Sequence, residues 1–246
     1  MRPFNLPEDI FADKKSQADE LIFHAYAAPA GEFEGRSVLN KNAVSLVISG
    51  EKTIHFAEKK VDIKADEFHF LSSGNCLVSM RLSAKTRFRS ILIFFSNATL
   101  SGFHAKYRDR IAALAGASKA DQPYLAFKKD AFINGFIASL EGMLGGGGGI
   151  SPAMKKVKFE ELMLYLLERH PQRFLSFQCS KSALPEDMAI RRAVENNLTT
   201  NIGLEEIAFL ANVSLSTFKR RFAKIYGAPP NKWILQKRME TARDLL

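Results

Sequence analysis

The chain has 246 residues, a formal net charge of +9 and 46% hydrophobic residues. This length allows one large domain or two moderate ones, and the hydrophobic content is typical of a soluble globular protein. No stretch reaches the ~18 uncharged apolar residues of a membrane span, and the N-terminus lacks the apolar core of a signal peptide. We therefore predict a cytoplasmic protein without a membrane segment. The basic charge favours a polyanionic partner only weakly, because its distribution matters more than its total.

The two cysteines, Cys76 and Cys179, are far apart and belong to no CxxC motif. This usage is typical of a reducing compartment. Isolated free cysteines behave as small apolar residues. We interpret both thiols as chemically inert.

The N-terminal part, assigned to residues 1–115, has a mostly two-residue periodicity from about Val38 to Phe95. Short β-rich runs alternate with Gly, Ser, Asn and Asp turns, which predicts an antiparallel barrel or sandwich. The run from Leu46 to Leu71 resembles the cupin-like barrel of some bacterial regulators. The predicted strands are Val44–Ile48, Thr53–Phe56, Val61–Lys64, Phe68–Leu71, Leu77–Leu82 and Phe88–Phe95.

Two histidines in this region, His55 and His69, invite comparison with metal-binding cupins. Such a site needs at least three convergent ligands, which Glu58 or Glu67 would have to complete. No His-x-His pair is present, so we interpret both as ordinary barrel histidines and predict no metal, no cofactor and no catalytic residue. A small-molecule pocket inside the barrel is favoured over a metal site, because a barrel mouth is a usual ligand site. The phenylalanines could line such a pocket, but we expect them to fill the core.

The region 116–180 is predicted to be a helical dimerisation and linker region. An apolar stripe at helical spacing indicates a helix over Lys128–Leu144, and a shorter helix is indicated over Lys106–Ala115. The five glycines Gly145–Gly149 should end any helix, and Ser151-Pro152 should start the next one, which runs to Arg169. The two long helices then form an antiparallel hairpin that packs on the barrel or pairs with a second subunit.

The C-terminal region, residues 181–246, is predicted to be entirely helical. One helix is expected over Met188–Asn197 and another over Leu204–Ala211, followed by a tight turn at Asn212–Ser214. Asn212 tolerates a left-handed backbone, and Ser214 is a suitable N-cap. Gly227 suits the end of the next helix, and Pro229-Pro230 begins the last one. The helix between the turn and Gly227 has a buried stripe of Leu215, Phe218, Phe222 and Ile225.

These spacings resemble the first helix-turn-helix and the linker helix of the AraC/XylS family of transcriptional regulators. The resemblance covers about Met188–Leu246. It rests on the fixed spacing of residues in both segments. In the helix-turn-helix these are Leu204, Ile207, Ala208, Ala211, Val213, Ser214, Phe218, Arg220, Phe222, Gly227 and Pro230, and in the linker helix they are Arg238, Ala242, Leu245 and Leu246. The helix around Lys158–Leu167 also looks like the one that precedes the DNA-binding domain in such regulators.

The resemblance implies that the helix after the turn enters the major groove of double-stranded DNA. The matching base-contacting positions are Ser216, Lys219 and Arg220, early in the helix, where recognition helices present side chains to base edges. Each charge could instead belong to an ordinary solvated helix face. The positions expected to contact phosphates are Thr217, Arg221, Lys224, Arg191 and Arg192.

The family carries a second helix-turn-helix, but the match stops midway along the linker helix at Leu246. We therefore expect the sequence to be a truncated form that binds DNA poorly. The sequence predicts an α+β bacterial transcriptional regulator whose N-terminal domain dimerises and senses a small molecule or a regulatory protein. The alternative is a cupin-type metal-dependent enzyme with a helical tail.

Overall fold

The computed structural model describes residues 3–10, 19–28, 32–57, 59–81, 87–114, 122–146, 149–177 and 185–244. The strands are β1 Phe4–Leu6, β2 Leu21–Ala27, β3 Glu32–Leu39, β4 Asn42–Ser49, β5 Lys52–His55, β6 Lys60–Ile63, β7 Glu67–Leu71, β8 Gly74–Arg81, β9 Arg89–Phe95 and β10 Tyr124–Lys128. Within the described residues they form two five-stranded sheets that face each other. The first sheet has the strand order β1-β3-β8-β5-β6, and the second has the order β10-β7-β4-β9-β2.

Helices follow the strands and then make up the whole C-terminal region. They are α1 Asn97–Lys106, α2 Arg108–Leu114, α3 Ala131–Gly145, α4 Pro152–Arg169, α5 Pro171–Leu175, α6 Glu186–Glu195, α7 Leu204–Leu210, α8 Leu215–Tyr226 and α9 Pro230–Asp244. The architecture is the predicted α+β arrangement: a cupin-like β domain, a helical layer and a helical C-terminal domain. None of the described helices is both long enough and apolar enough to cross a membrane.

The second sheet is covered on both faces, which explains its continuous apolar runs. Alternation along β4 sends Ala43 and Val47 toward the first sheet, and it sends Val44 and Leu46 toward the helices. The phenylalanines concentrate on the helical side and contact one another in edge-to-face, tilted and stacked arrangements. They include Phe68, Phe70, Phe95, Phe127, Phe159, Phe174 and Phe177. These aromatic side chains therefore fill a core between sheet and helices.

The sheet begins earlier and ends later along the chain than the predicted interval from Val38 to Phe95. β2 pairs with β9, β3 with β8, and β10 with β7, all antiparallel. β10 lies inside the region predicted to be helical, and its five residues are too few to display a periodicity before α3 begins. The helix predicted over Lys106–Ala115 is present as α2, Arg108–Leu114, and a further helix, α1, precedes it over Asn97–Lys106.

The predicted helix boundaries in the hairpin are set by local side-chain chemistry. Ser151 accepts a hydrogen bond from the Met154 amide at the start of α4, next to Pro152. Asp130 caps α3 in the same way through the Ile133 amide. α3 ends at Gly145, the first of the five glycines, and residues 147–148 lie outside the described residues.

The two barrel histidines do not converge, because His69 faces the space between the sheets and His55 faces away from it. His69 is buried between the sheets, with Nδ1 2.8 Å from the Tyr124 hydroxyl oxygen, and its burial lowers its pKa to about 4. His55 follows the buried Ile54 on β5 and so faces the other way. Among the described residues, no three His, Cys, Asp or Glu side chains are grouped as metal ligands would be.

Cys76 also lies between the sheets, where burial raises the pKa of its thiol to about 12. The thiolate is the reactive form of cysteine, so this shift suppresses nucleophilic and redox chemistry at neutral pH. Cys179 lies outside the described residues.

Candidate nucleic-acid interface

The helix-turn-helix consists of α7, α8 and the turn between them. Asn212 adopts φ +56° in that turn, in the left-handed region that asparagine tolerates. The Ser214 hydroxyl accepts a hydrogen bond from the Thr217 amide and caps α8. At its other end, α8 stops at Gly227, which has φ +70°. The predicted turn, N-cap and C-terminal glycine are all present.

α8 is held in place by an aromatic core beneath it. Phe218 and Phe222 are fully buried, and their ring centroids are 5.5 Å apart. Trp233 of α9 contacts the rings of Phe222 and Tyr226 at 5.6 and 4.4 Å. Because α9 packs across the back of α8, the opposite face of α8 is left toward solvent.

The three side chains predicted to contact bases lie together on this open face. Ser216, Lys219 and Arg220 are all exposed, and their spacing of three and four residues places them on one side of the helix. Lys224 is exposed one turn further along, and Thr217 is half-buried at the edge. The predicted base-contacting group is thus brought together on one face.

Arg221 has a different environment from its neighbours on α8. Its guanidinium lies 2.5 Å from a Glu186 carboxylate oxygen and 2.8 Å from one of Asp187, both in the first turn of α6. This pairing ties α8 to α6 inside the domain. The role of Arg221 at a DNA phosphate stays a prediction, and such a contact would compete with this ion pair.

Arg191 and Arg192 of α6 are exposed, as phosphate contacts require. The guanidinium of Arg191 lies 5.5 Å from the Tyr226 ring centroid, at the C-terminal end of α8. Such a cation–π contact restrains the side chain without neutralising its charge. The charge of Arg191 therefore remains available to an anion.

Three residues that sequence analysis did not single out join the helix-turn-helix to the first sheet: Arg36 on β3, and Asn75 and Leu77 on β8. Arg36 pairs with Glu205 and Glu206 of α7, and Leu77 belongs to the core of the helical domain. The hydrogen bonds of Arg36 and Asn75 join residues 134 to 170 positions apart, so no local pattern in the sequence could reveal them. Beside them lies a crevice of about 1140 Å³, lined in part by His55, Lys60 and Thr200.

Arg238 of α9 fixes the connection between α6 and α7. Its guanidinium donates hydrogen bonds to the backbone oxygens of Leu198, Thr200 and Ile202 at 2.9, 2.9 and 3.1 Å. Carbonyl groups in a connection have no helical partner, and an arginine can satisfy several of them at once. Arg238 therefore stabilises the connection between α6 and α7.

Comparison with known proteins identifies relatives among transcriptional regulators. The family model described as the ExsA N-terminal regulatory domain matches residues 42–177, more than half of the chain. The virulence regulon transcriptional activator VirF of Yersinia enterocolitica is 23% identical over 208 residues, covering 84% of this chain and 75% of that protein. The HTH-type transcriptional regulator ExsA of Pseudomonas aeruginosa is 24% identical over 218 residues, covering 87% and 75%.

Among solved structures, ToxT from Vibrio cholerae superposes with a TM-score of 0.46 at 11% identity, over 88% of this chain and 98% of that one. The relatives identified by sequence are transcriptional regulators and not enzymes, which disfavours the metal-dependent enzyme alternative. The chain belongs to the family defined by the ExsA N-terminal regulatory domain and is a transcriptional regulator of the AraC/XylS family.

Proposed function

We propose that α8 reads DNA bases in the major groove through Ser216, Lys219 and Arg220, while nearby basic residues contact phosphates. The observation that carries this proposal is the exposed face of α8, where these three side chains lie together over a buried aromatic core. Arginine and lysine pair with guanine O6 and N7, and a helix of this diameter fits the major groove. The proposed phosphate contacts are Thr217, Lys224, Arg191 and Arg192. Arg221 is a further candidate, but a phosphate contact there would compete with its ion pair to Glu186 and Asp187. Such a regulator acts in the cytoplasm.

A titration of the chain with duplex DNA selected from a random library tests this proposal. The logarithm of the binding constant should fall linearly with the logarithm of salt concentration, because phosphate contacts release counterions. Lys224→Ala should reduce the magnitude of this slope by about one, because one phosphate contact is lost. Lys156→Ala, which removes an exposed lysine from α4, should leave the slope unchanged. Absence of saturable binding at low salt would contradict the function.

We further propose that the chain acts as a homodimer through the helical hairpin. α4 leaves Met154 and Val157 40% and 59% exposed, three residues apart on one side of the helix. Sedimentation of the complex in the same titration should therefore give two chains per duplex. One chain per duplex at every concentration would refute dimeric binding without affecting the assignment of α8.

The β domain is proposed to sense a small polar molecule between its sheets. His69 on β7, Ser45 on β4 and Ser90 on β9 lie on adjacent strands. Each is buried and has a side-chain atom without a hydrogen-bond partner within the described part of the chain. Buried polar groups are normally paired, and unpaired ones mark a place for a ligand or a water molecule. Regulation by a bound protein is the second candidate.

A thermal-shift screen with a metabolite library distinguishes sensing of a small molecule from regulation by a bound protein. A true effector should raise the melting temperature with increasing concentration, because it binds the folded state. Ser90→Ala should weaken that effect, and Ser214→Ala, a substitution at the cap of α8, should not. A library with no active compound, together with a protein recovered by pull-down, would favour the protein-binding version.

A further inference from the structure

The contacts between the barrel and the helix-turn-helix form one connected group, centred on α7. Arg36 of β3 donates from Nη2 to carboxylate oxygens of Glu205 and Glu206 at 3.0 and 3.2 Å. Its guanidinium also lies 5.8 Å from the centroid of the Phe209 ring. One arginine thus holds two acids in the first turn of α7 and an aromatic side chain near its end.

Asn75 of β8 binds the other end of α7. Its Nδ2 donates to the Phe209 carbonyl oxygen at 2.7 Å and to Asn212 Oδ1 at 3.3 Å. The Phe209 carbonyl is among the last of α7 and also accepts a hydrogen bond from the Asn212 amide at 2.9 Å, so Asn75 supplies it with a further donor. Asn212 is the left-handed residue of the turn. Asn75 therefore supports the turn that sets the angle between α7 and α8.

Leu77, two residues further along β8, supplies the apolar part of the contact. It is 8% exposed and packs into the core formed by α6, α7 and α8. Asn197 adds a hydrogen bond from Nδ2 to the Phe56 carbonyl oxygen at 3.4 Å. We call Arg36, Asn75 and Leu77, with their partners on α7 and in the turn, the barrel clamp.

The barrel clamp does not cover the surface proposed to read DNA. It engages α7 and the turn, whereas Ser216, Lys219 and Arg220 on α8 remain exposed. The clamped arrangement is therefore compatible with DNA binding and determines where α8 points relative to the barrel. The opposite face of β8 carries Cys76, which lies in the core between the two sheets. A single strand thus contacts both the interior of the barrel and the helix-turn-helix.

We propose that Arg36 and Asn75 are positioning residues that hold the helix-turn-helix against β8 and thereby couple the barrel to the orientation of the recognition helix. This inference rests on the proposed role of α8 in DNA binding. Coupling between two sites is reciprocal, so a change in the barrel interior alters DNA binding, and DNA binding alters the barrel.

Hydrogen–deuterium exchange of the full chain tests the clamp directly. Arg36→Glu places a like charge beside Glu205 and Glu206, and amides of α7 should exchange about fivefold faster. Adding Glu206→Arg to this variant should restore most of the protection, because the ion pair is then reversed and not removed. Arg89→Glu, which makes the same charge change at the exposed Arg89–Glu141 pair, is the matched control and should leave α7 unchanged.

The second readout uses the selected duplex. Binding of the parent chain to DNA should change the exchange of the β8 amides around Asn75 and Leu77, and Asn75→Ala should abolish this response while α8 stays protected. Unchanged α7 exchange in Arg36→Glu, or no recovery in the reversed pair, would overturn the clamp. Failure of the parent chain to bind any duplex would refute the proposed function, whereas the exchange comparison without DNA would still decide the clamp.

Discussion

Replacing Phe222 with alanine should unfold the helix-turn-helix domain or bring it close to unfolding. The ring is fully buried and contacts Phe218, Tyr226 and Trp233, so its removal opens a cavity that joins α8 to α9. Truncation of a buried phenylalanine costs about 3–5 kcal/mol, a large part of the ~5–15 kcal/mol that stabilises a typical domain. Urea unfolding followed by circular dichroism would measure the loss.

Phe132→Ala is the matched control for this substitution. Phe132 lies on α3, 38% exposed, and stacks on Tyr165 with 4.2 Å between the ring centroids. Its removal leaves no closed cavity, so the cost should be about 1 kcal/mol. Equal losses in the two variants would show that Phe222 does not form the core on which α8 rests. Tryptophan fluorescence reports the unfolding of the helix-turn-helix domain separately from that of the β domain, because Trp233, the single tryptophan, lies beside Phe222.

Replacing Arg220 with alanine should weaken specific DNA binding by about 1–3 kcal/mol, roughly a 5- to 150-fold increase in the dissociation constant. Arg220 is exposed at the proposed base-reading face, and none of the ion pairs found among the described residues involves it. Its removal should therefore cost little stability. Fluorescence anisotropy with the selected duplex and with a scrambled duplex would show the loss mainly for the selected one.

Arg221→Ala distinguishes a base contact from a structural charge on the same helix. This residue is paired with Glu186 and Asp187, so its removal should lower stability and affect both duplexes to a similar extent. Arg110→Ala removes an arginine from a surface ion pair with Glu168 far from α8 and should change neither property. Unchanged selectivity in Arg220→Ala would contradict the assignment of Arg220 to a base contact.

Helix α8 was predictable because its determinants are local. The spacing of Phe218 and Phe222, the cap at Ser214 and the left-handed positions Asn212 and Gly227 each depend on residues only a few positions apart. The exposed basic face follows from the same periodicity. These features specify α8 and the turn before it, whatever the remainder of the fold does.

The limits of the barrel were less predictable because strand pairing is not local. β2 pairs with β9 although Leu21 and Phe95 are separated by most of the β domain, and β10 joins β7 after two intervening helices. Their own sequences are short apolar runs without a clear alternation. Both depend on partners far along the chain for their hydrogen bonds and burial.

The sequence by itself determined that this protein carries a helix-turn-helix with a basic outer face, because caps, turns and helical periodicity act over a few residues. Only the tertiary structure decided which of those charged side chains form ion pairs and which stay exposed. Packing against α6 commits Arg221 to Glu186 and Asp187, while Arg220, one position earlier, stays exposed. Packing against the barrel likewise brings Arg36 to Glu205 and Glu206. Such contacts depend on how distant surfaces meet, and no short stretch of sequence contains that information.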